Sequence, residues 1–180
     1  MRFEIKDFQS SFGFSILHVT HDQSEAMALS DRMLVMRDGV VHQIGTPLGV
    51  YGSPANRFVL EFIGPSCLLN SMLTVTGMQI AGTAYPWPNG IGPPSELLAS
   101  GTGFLAAQPT EISFVGERGI RARVLRKAHL GETIDYRIMV GDAEVRVQKT
   151  WHLPGPALGD NCGLEFARPH WYPADLSIGC

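Results

Sequence analysis

Three successive segments in the second half of the chain alternate apolar and polar residues with a period of two, and this constrains the fold more than any other feature. Ile120, Ala122 and Val124 are separated by Arg121 and Arg123. Ile134, Tyr136, Ile138 and Val140 are separated by Asp135, Arg137 and Met139, and Ala143, Val145 and Val147 by Glu144 and Arg146. Successive side chains on a strand point to opposite faces, so this pattern predicts half-buried strands in a small barrel or sandwich. The β pattern begins near Leu68. The stretch Tyr85–Ser95 (YPWPNGIGPPS) holds four of the twelve prolines and reads as a loop.

The first half has a different grammar. Ser15–Thr20 (SILHVT) is a short apolar run that reads as a buried strand. Asp22, with Glu25 three residues on, forms a variant capping box for a helix over QSEAMALS, in which Ala26–Leu29 reads as a packing face. Arg32–Met36 and Val40–Ile44 read as strands joined by an Asp38-Gly39 hairpin turn. Thr46-Pro47 and Ser53-Pro54 each set a cap residue before a proline at the first helical position. The second of these helices, through Phe58, Phe62 and Ile63, is expected to stop at Gly64-Pro65.

With 44% apolar and 17% charged residues the chain can build a core, which argues against wholesale disorder. A net charge of -3 argues against nucleic acid as a partner. Cys67, Cys162 and Cys180 form no C-x-x-C pair, so neither a zinc site nor a disulfide framework is expected. The N-terminal residues lack the apolar run of a secretory leader, and no stretch approaches the length of a membrane span. A membrane link is therefore expected to run through a partner.

The stretch Val19–Pro47, VTHDQSEAMALSDRMLVMRDGVVHQIGTP, resembles the end of the ATP-binding domain of ABC importers. The likeness continues through Tyr51, Pro54, Phe58, Val59, Phe62, Ile63 and Gly64. It implies that His21 is the switch histidine, which contacts the γ-phosphate of ATP and helps position the attacking water in a complete domain. An imidazole at that place suits phosphoryl transfer, which rests on positioning and electrostatics. In the second half, Ala107–Ile112, Ile120–Lys127, Leu130–Thr133 and Leu158–Asp160 follow in the order expected of a TOBE domain, an OB-like β-barrel. Gln108 stands where the family usually has arginine, which puts that arginine's role in doubt here.

The expected fold class is therefore α+β. Residues 1–64 read as a C-terminal remnant of the ABC ATPase α/β domain, and residues 65–180 as a TOBE-like regulatory barrel. The resemblance implies ATP and Mg2+ as ligands of the complete protein. It also implies membrane permease subunits and a second ATP-binding subunit (a homodimer) as partners, and a cytoplasmic place on the inner face of the membrane. The class looks most like polyamine, iron or sugar importers, with the solute handled by other subunits.

Several parts needed for ATP cleavage are not in this sequence. A P-loop needs glycine amides around the phosphates and a following lysine. Lys6, Lys127 and Lys149 are the only lysines, and none follows a glycine. There is no Gly-Gly for the family's signature and no Asp-Glu pair for magnesium and base. By the resemblance Met1 falls just downstream of these elements, so the chain alone is expected to hydrolyse no ATP.

Two other readings compete. A free-standing TOBE-type module would bind a small oxyanion, for instance on the amides of Leu130-Gly131-Glu132-Thr133, although a tight turn explains that sequence more simply. Between Glu117 and Lys149 eight basic residues face five acidic ones, an excess better explained by solvated strand faces than by nucleic acid. Trp151, Trp171 and Tyr172 with His152 and His170 read as barrel packing, since the histidines lack zinc-ligand spacing.

Overall fold

Asp38 and Gly39 both adopt positive φ, 51° and 77°, the backbone a two-residue hairpin turn of this twist requires. They join β1 (Met33–Arg37) to antiparallel β2 (Val40–Gly45). In this computed structural model residues 2–74, 77–85 and 100–174 are described. The chain divides into two units, Met1–Pro65 and Ser66–Cys180.

The first unit sets this hairpin among four short helices, α1 (Arg2–Phe12), α2 (Gln23–Leu29), α3 (Pro47–Gly52) and α4 (Arg57–Ile63). Their starts follow from local chemistry. Asp22 accepts from the Glu25 amide at 2.9 Å, and Thr46, just before Pro47, accepts from the Gly49 amide at 3.2 Å. The last helix is capped by Asn56, which accepts from the Val59 amide at 3.0 Å, and not by Ser53. Gln43 fixes the chain before it, donating to the Ser53 carbonyl and accepting from the Ala55 amide. Met33, Val35, Val50, Val59 and Ile63 form the core, with Ala26, Met27, Tyr51 and Phe58 packed against it. Ala28 is exposed, so the packing face of α2 is narrower than the sequence run suggests.

One expectation fails here. Ser15–Thr20 forms no strand and is not buried: Leu17 is 92% and Val19 89% exposed. A strand is a paired state, and no described segment pairs with this one. The helix α1 was not expected from the sequence.

The second unit is all β among its longer elements. Its strands are β3 (Cys67–Thr74), β4 (Gly77–Ile80), β5 (Thr83–Tyr85), β6 (Thr102–Ala107), β7 (Ile112–Phe114), β8 (Ile120–His129), β9 (Thr133–Val140), β10 (Ala143–Thr150), β11 (Asn161–Phe166) and β12 (His170–Pro173). They form two five-stranded sheets, ordered β10-β9-β8-β11-β7 and β12-β6-β3-β4-β5. One core joins both: Leu69, Ile80 and Leu105 from the second pack with Ile120, Ile138, Val147 and Leu164 from the first. Each such side chain, fully removed from water, contributes about 1.5–3 kcal/mol before entropy is counted. The whole is an α+β fold with an OB-like barrel. Beyond Tyr85, the proline-rich stretch to Ser95 lies outside the described residues.

The predicted inward residues of β8, β9 and β10 are the buried ones, with Ala143 partly buried at the strand end. The alternation in β8 breaks at a bulge between Val124 and Arg126, where Val124 faces Ile138 and Arg126 faces Arg137. Gly163 allows a close crossing: its amide donates to the Gly116 carbonyl, and a Cβ there would run into the carbonyl of Arg118.

Candidate functional site

His21 stands at the junction between the extended Ser15–Thr20 segment and the Asp22 cap of α2, with its side chain exposed. Among the described residues it makes no hydrogen bond or ion pair, so its imidazole is open to a ligand. The chain on either side of it is tied down. The Thr20 hydroxyl donates to Glu25 Oε2 at 3.0 Å and accepts from the Asp22 amide at 3.0 Å. His18 Nε2 lies 3.1 Å from the same carboxylate oxygen.

This arrangement replaces the capping box expected from Asp22 and Glu25. Asp22 does cap the helix, but the Glu25 carboxylate turns to Thr20 and His18 and not back to the Asp22 amide. The hydrogen bond from His18 and then that from Thr20 hold the Glu25 carboxyl below its ordinary value of 4.5, against a small opposing push from burial.

Beside this junction lies an open groove. Ile16, Leu17 and Val19 line it from the extended segment, Leu34 and Met36 from β1, and Ile5 from α1. All six are exposed. Monomeric soluble proteins rarely expose a contiguous apolar surface of this kind.

The other positions singled out in the sequence fall elsewhere. Gln108 is buried at the start of a 3-10 turn, Pro109–Glu111, and Glu111 pairs with Arg168 at 3.0 Å. Leu130–Thr133 is a tight hairpin turn, the Leu130 amide donating to the Thr133 carbonyl at 2.8 Å. The aromatic set divides in two. His170 stacks on Tyr172 at 6.5 Å, and Trp171 packs on the core, whereas Trp151 is exposed between His129 and His152. No three His, Cys, Asp or Glu converge on a metal position among the described residues. Cys67 is buried and donates to the Arg146 carbonyl at 2.9 Å, and burial pushes its thiol up to about 11. Sequence reasoning missed the Thr20–Glu25–His18 contacts. Their signal, a histidine and a threonine on alternate residues before the cap, is too common to single out.

No family model matches the chain. Individual curated proteins do. The chain is 34% identical over 145 residues to the Fe(3+) ions import ATP-binding protein FbpC of Rhizobium etli, a match covering 77% of this chain and 39% of that protein. It is 37% identical over 153 residues to the spermidine/putrescine import ATP-binding protein PotA of Nitrosomonas eutropha, covering 82% and 40%. Against the PotA of Pseudomonas fluorescens the identity is 30% over 178 residues, covering 93% and 48%. The chain thus spans less than half the length of these relatives.

Proposed function

From the premise that this chain belongs with the ATP-binding subunits of ABC importers and corresponds to their C-terminal part, we propose that it supplies the switch histidine and the regulatory barrel of such a subunit. In this reading His21 contacts the γ-phosphate of ATP once the phosphate-binding half of the domain stands beside it. The observation that carries the reading is the exposed, unengaged His21 on a junction braced by Thr20, Asp22 and Glu25. Phosphoryl transfer rests on holding such donors in place. Residues 1–64 are the end of the nucleotide-binding domain, residues 65–180 are the TOBE-like regulatory domain, and the groove lined by Leu17, Val19, Leu34 and Met36 is where the rest of the ATPase sheet packs.

The described residues do not make an ATP–magnesium site by themselves. Lys6 pairs with Asp31 at 3.5 Å, Lys127 donates to the Pro156 carbonyl and Lys149 to Ser113. Among the described residues no cradle of amides and lysine is left for the phosphates, and in this reading the chain is inactive by itself. In a complete transporter it acts on the inner, cytoplasmic face of the membrane, bound to permease subunits and paired with a second ATP-binding subunit. No helix among the described residues is long and apolar enough to cross a membrane. The solute is an iron, polyamine or related cargo, as the relatives' names suggest, and is selected by other subunits.

The test is phosphate release from ATP. The chain alone gives a rate equal to the buffer blank. Fused behind the phosphate-binding half of the Nitrosomonas eutropha relative it gives hydrolysis that His21→Ala abolishes. Release by the chain alone that His21→Ala removes would overturn the inactivity, and a fusion indifferent to His21→Ala would overturn the residue's role.

A further inference from the structure

The five strands of the sheet β12-β6-β3-β4-β5 contain no Asp, Glu, Lys or Arg. The chain carries 14 basic and 17 acidic residues, and β9 and β10 of the other sheet hold both signs of charge. A strand face that meets water normally carries such charges. This one meets water without them, since Asn70, Met72 and Thr102 are exposed.

Register fixes what that face presents. Leu69, Ile80 and Leu105 turn to the core, so Asn70, Met72, Gln79, Thr102 and Phe104 lie on the opposite face of their strands. Met72 is at the centre, opposite Gln79 of β4 on one side and Thr102 of β6 on the other. Asn70, two residues before Met72 on β3, stands opposite Phe104. Directly opposed residues lie about 5 Å apart at Cβ and diagonal ones about 7–8 Å. Two carboxamides and a hydroxyl therefore surround one methionine within the span of a single small ring. They line an open cavity of about 380 Å³, within the size range of small-molecule sites. The side chains of Asn70, Gln79 and Thr102 form no hydrogen bond among the described residues, so their donors and acceptors are turned to solvent or a ligand.

We propose that this face binds a free neutral sugar or polyol, with its hydroxyls on Asn70, Gln79 and Thr102 and its C–H face on Met72. A carboxamide donates and accepts from one group, and adjacent sugar hydroxyls do the same. Several such pairings fix a ring in orientation without any charge. An ionised ligand finds no countercharge among the lining residues and would give up hydration for nothing. A nucleobase takes its binding energy from stacking on an aromatic face, whereas the centre of this patch is a thioether. The inference uses the barrel unit alone and is independent of any ATP chemistry.

Amide chemical-shift mapping by NMR on the full chain tests it, with glucose, galactose and sucrose added one at a time. At least one of them shifts amides confined to residues 70–72, 79–82 and 102–104, with an affinity of about 1 mM, as befits a ligand of few atoms. Asn70→Ala and Gln79→Ala each weaken that binding about three- to tenfold, the worth of one neutral hydrogen bond. Met72→Lys, which sets a charge at the centre, abolishes it. Asn70 and Met72 are exposed and Gln79 is half-buried on the same outer face, so the variants fold, as circular dichroism checks. No confined shift with any of the three sugars up to about 50 mM, well above that affinity, overturns the proposal. So does unchanged binding in both alanine variants, or equal or tighter binding of glucose 6-phosphate or uridine at the same residues.

Discussion

Thr20 and Glu25 are joined by a 3.0 Å hydrogen bond that spans His21, so the open imidazole sits inside a closed local loop. The Asp22 amide and the Asp22 carboxylate complete the loop from the helix side. Replacing Asp22 by Ala removes the cap and costs the start of α2 about 1 kcal/mol. Thr20→Val cuts the tie to Glu25. Both variants speed amide hydrogen exchange in Gln23–Leu29 while leaving the β8–β9 amides unchanged. Equal protection in wild type and variants would refute the bracing role.

The same carboxylate gives the junction a pH dependence. The bonds from His18 and Thr20 favour ionised Glu25 and depress its folded-state value below 4.5. A depressed carboxyl contributes stability above the unfolded value and loses it as pH falls through the folded one. Exchange protection of α2 is therefore constant above 4.5 and declines below it. In Glu25→Gln that acid-side decline disappears.

Cys67 is expected to be inert to alkylation in the folded protein. Its thiol donates to the Arg146 carbonyl inside the barrel, and burial raises it to about 11. At pH 8 about one thousandth is thiolate, and the thiolate is the reactive form. Iodoacetamide followed by peptide mass mapping should label Cys67 only once urea unfolds the barrel. Rapid native labelling would contradict the packing described.

Asp135 offsets the repulsion between Arg137 of β9 and Arg146, which stands opposite it on β10. Asp135→Asn keeps the shape but removes the charge beside Arg146, part-buried at 2.6 Å, and is expected to cost about 1–2 kcal/mol of barrel stability by urea unfolding. Because the exposed cost is like-charge repulsion, raising the salt concentration narrows the difference from wild type. A difference that stays constant with salt would mean that hydrogen bonding alone is lost.

Much of this protein is written in short-range chemistry. Asp22, Thr46-Pro47 and Asp38-Gly39 carry their caps and turn in neighbouring residues, so their structures are legible before any fold is known. The inward faces of β8, β9 and β10 are legible too, because a pleated strand forces alternate side chains to opposite sides. His21 is singled out only by the likeness of its surroundings to a family, since an isolated histidine has no signature of its own. What the sequence alone leaves undetermined is pairing. Ser15–Thr20 has the composition of a strand, yet no described segment supplies the hydrogen bonds that would make it one. Ser53-Pro54 resembles a helix start, but Gln43 holds that stretch from ten and twelve residues away and moves the cap to Asn56. The bulge that turns Arg126 to the outer face depends on how β8 registers against β9. Caps and turns close through bonds a few residues apart, whereas strand pairing and register depend on partners the chain brings together only when it folds.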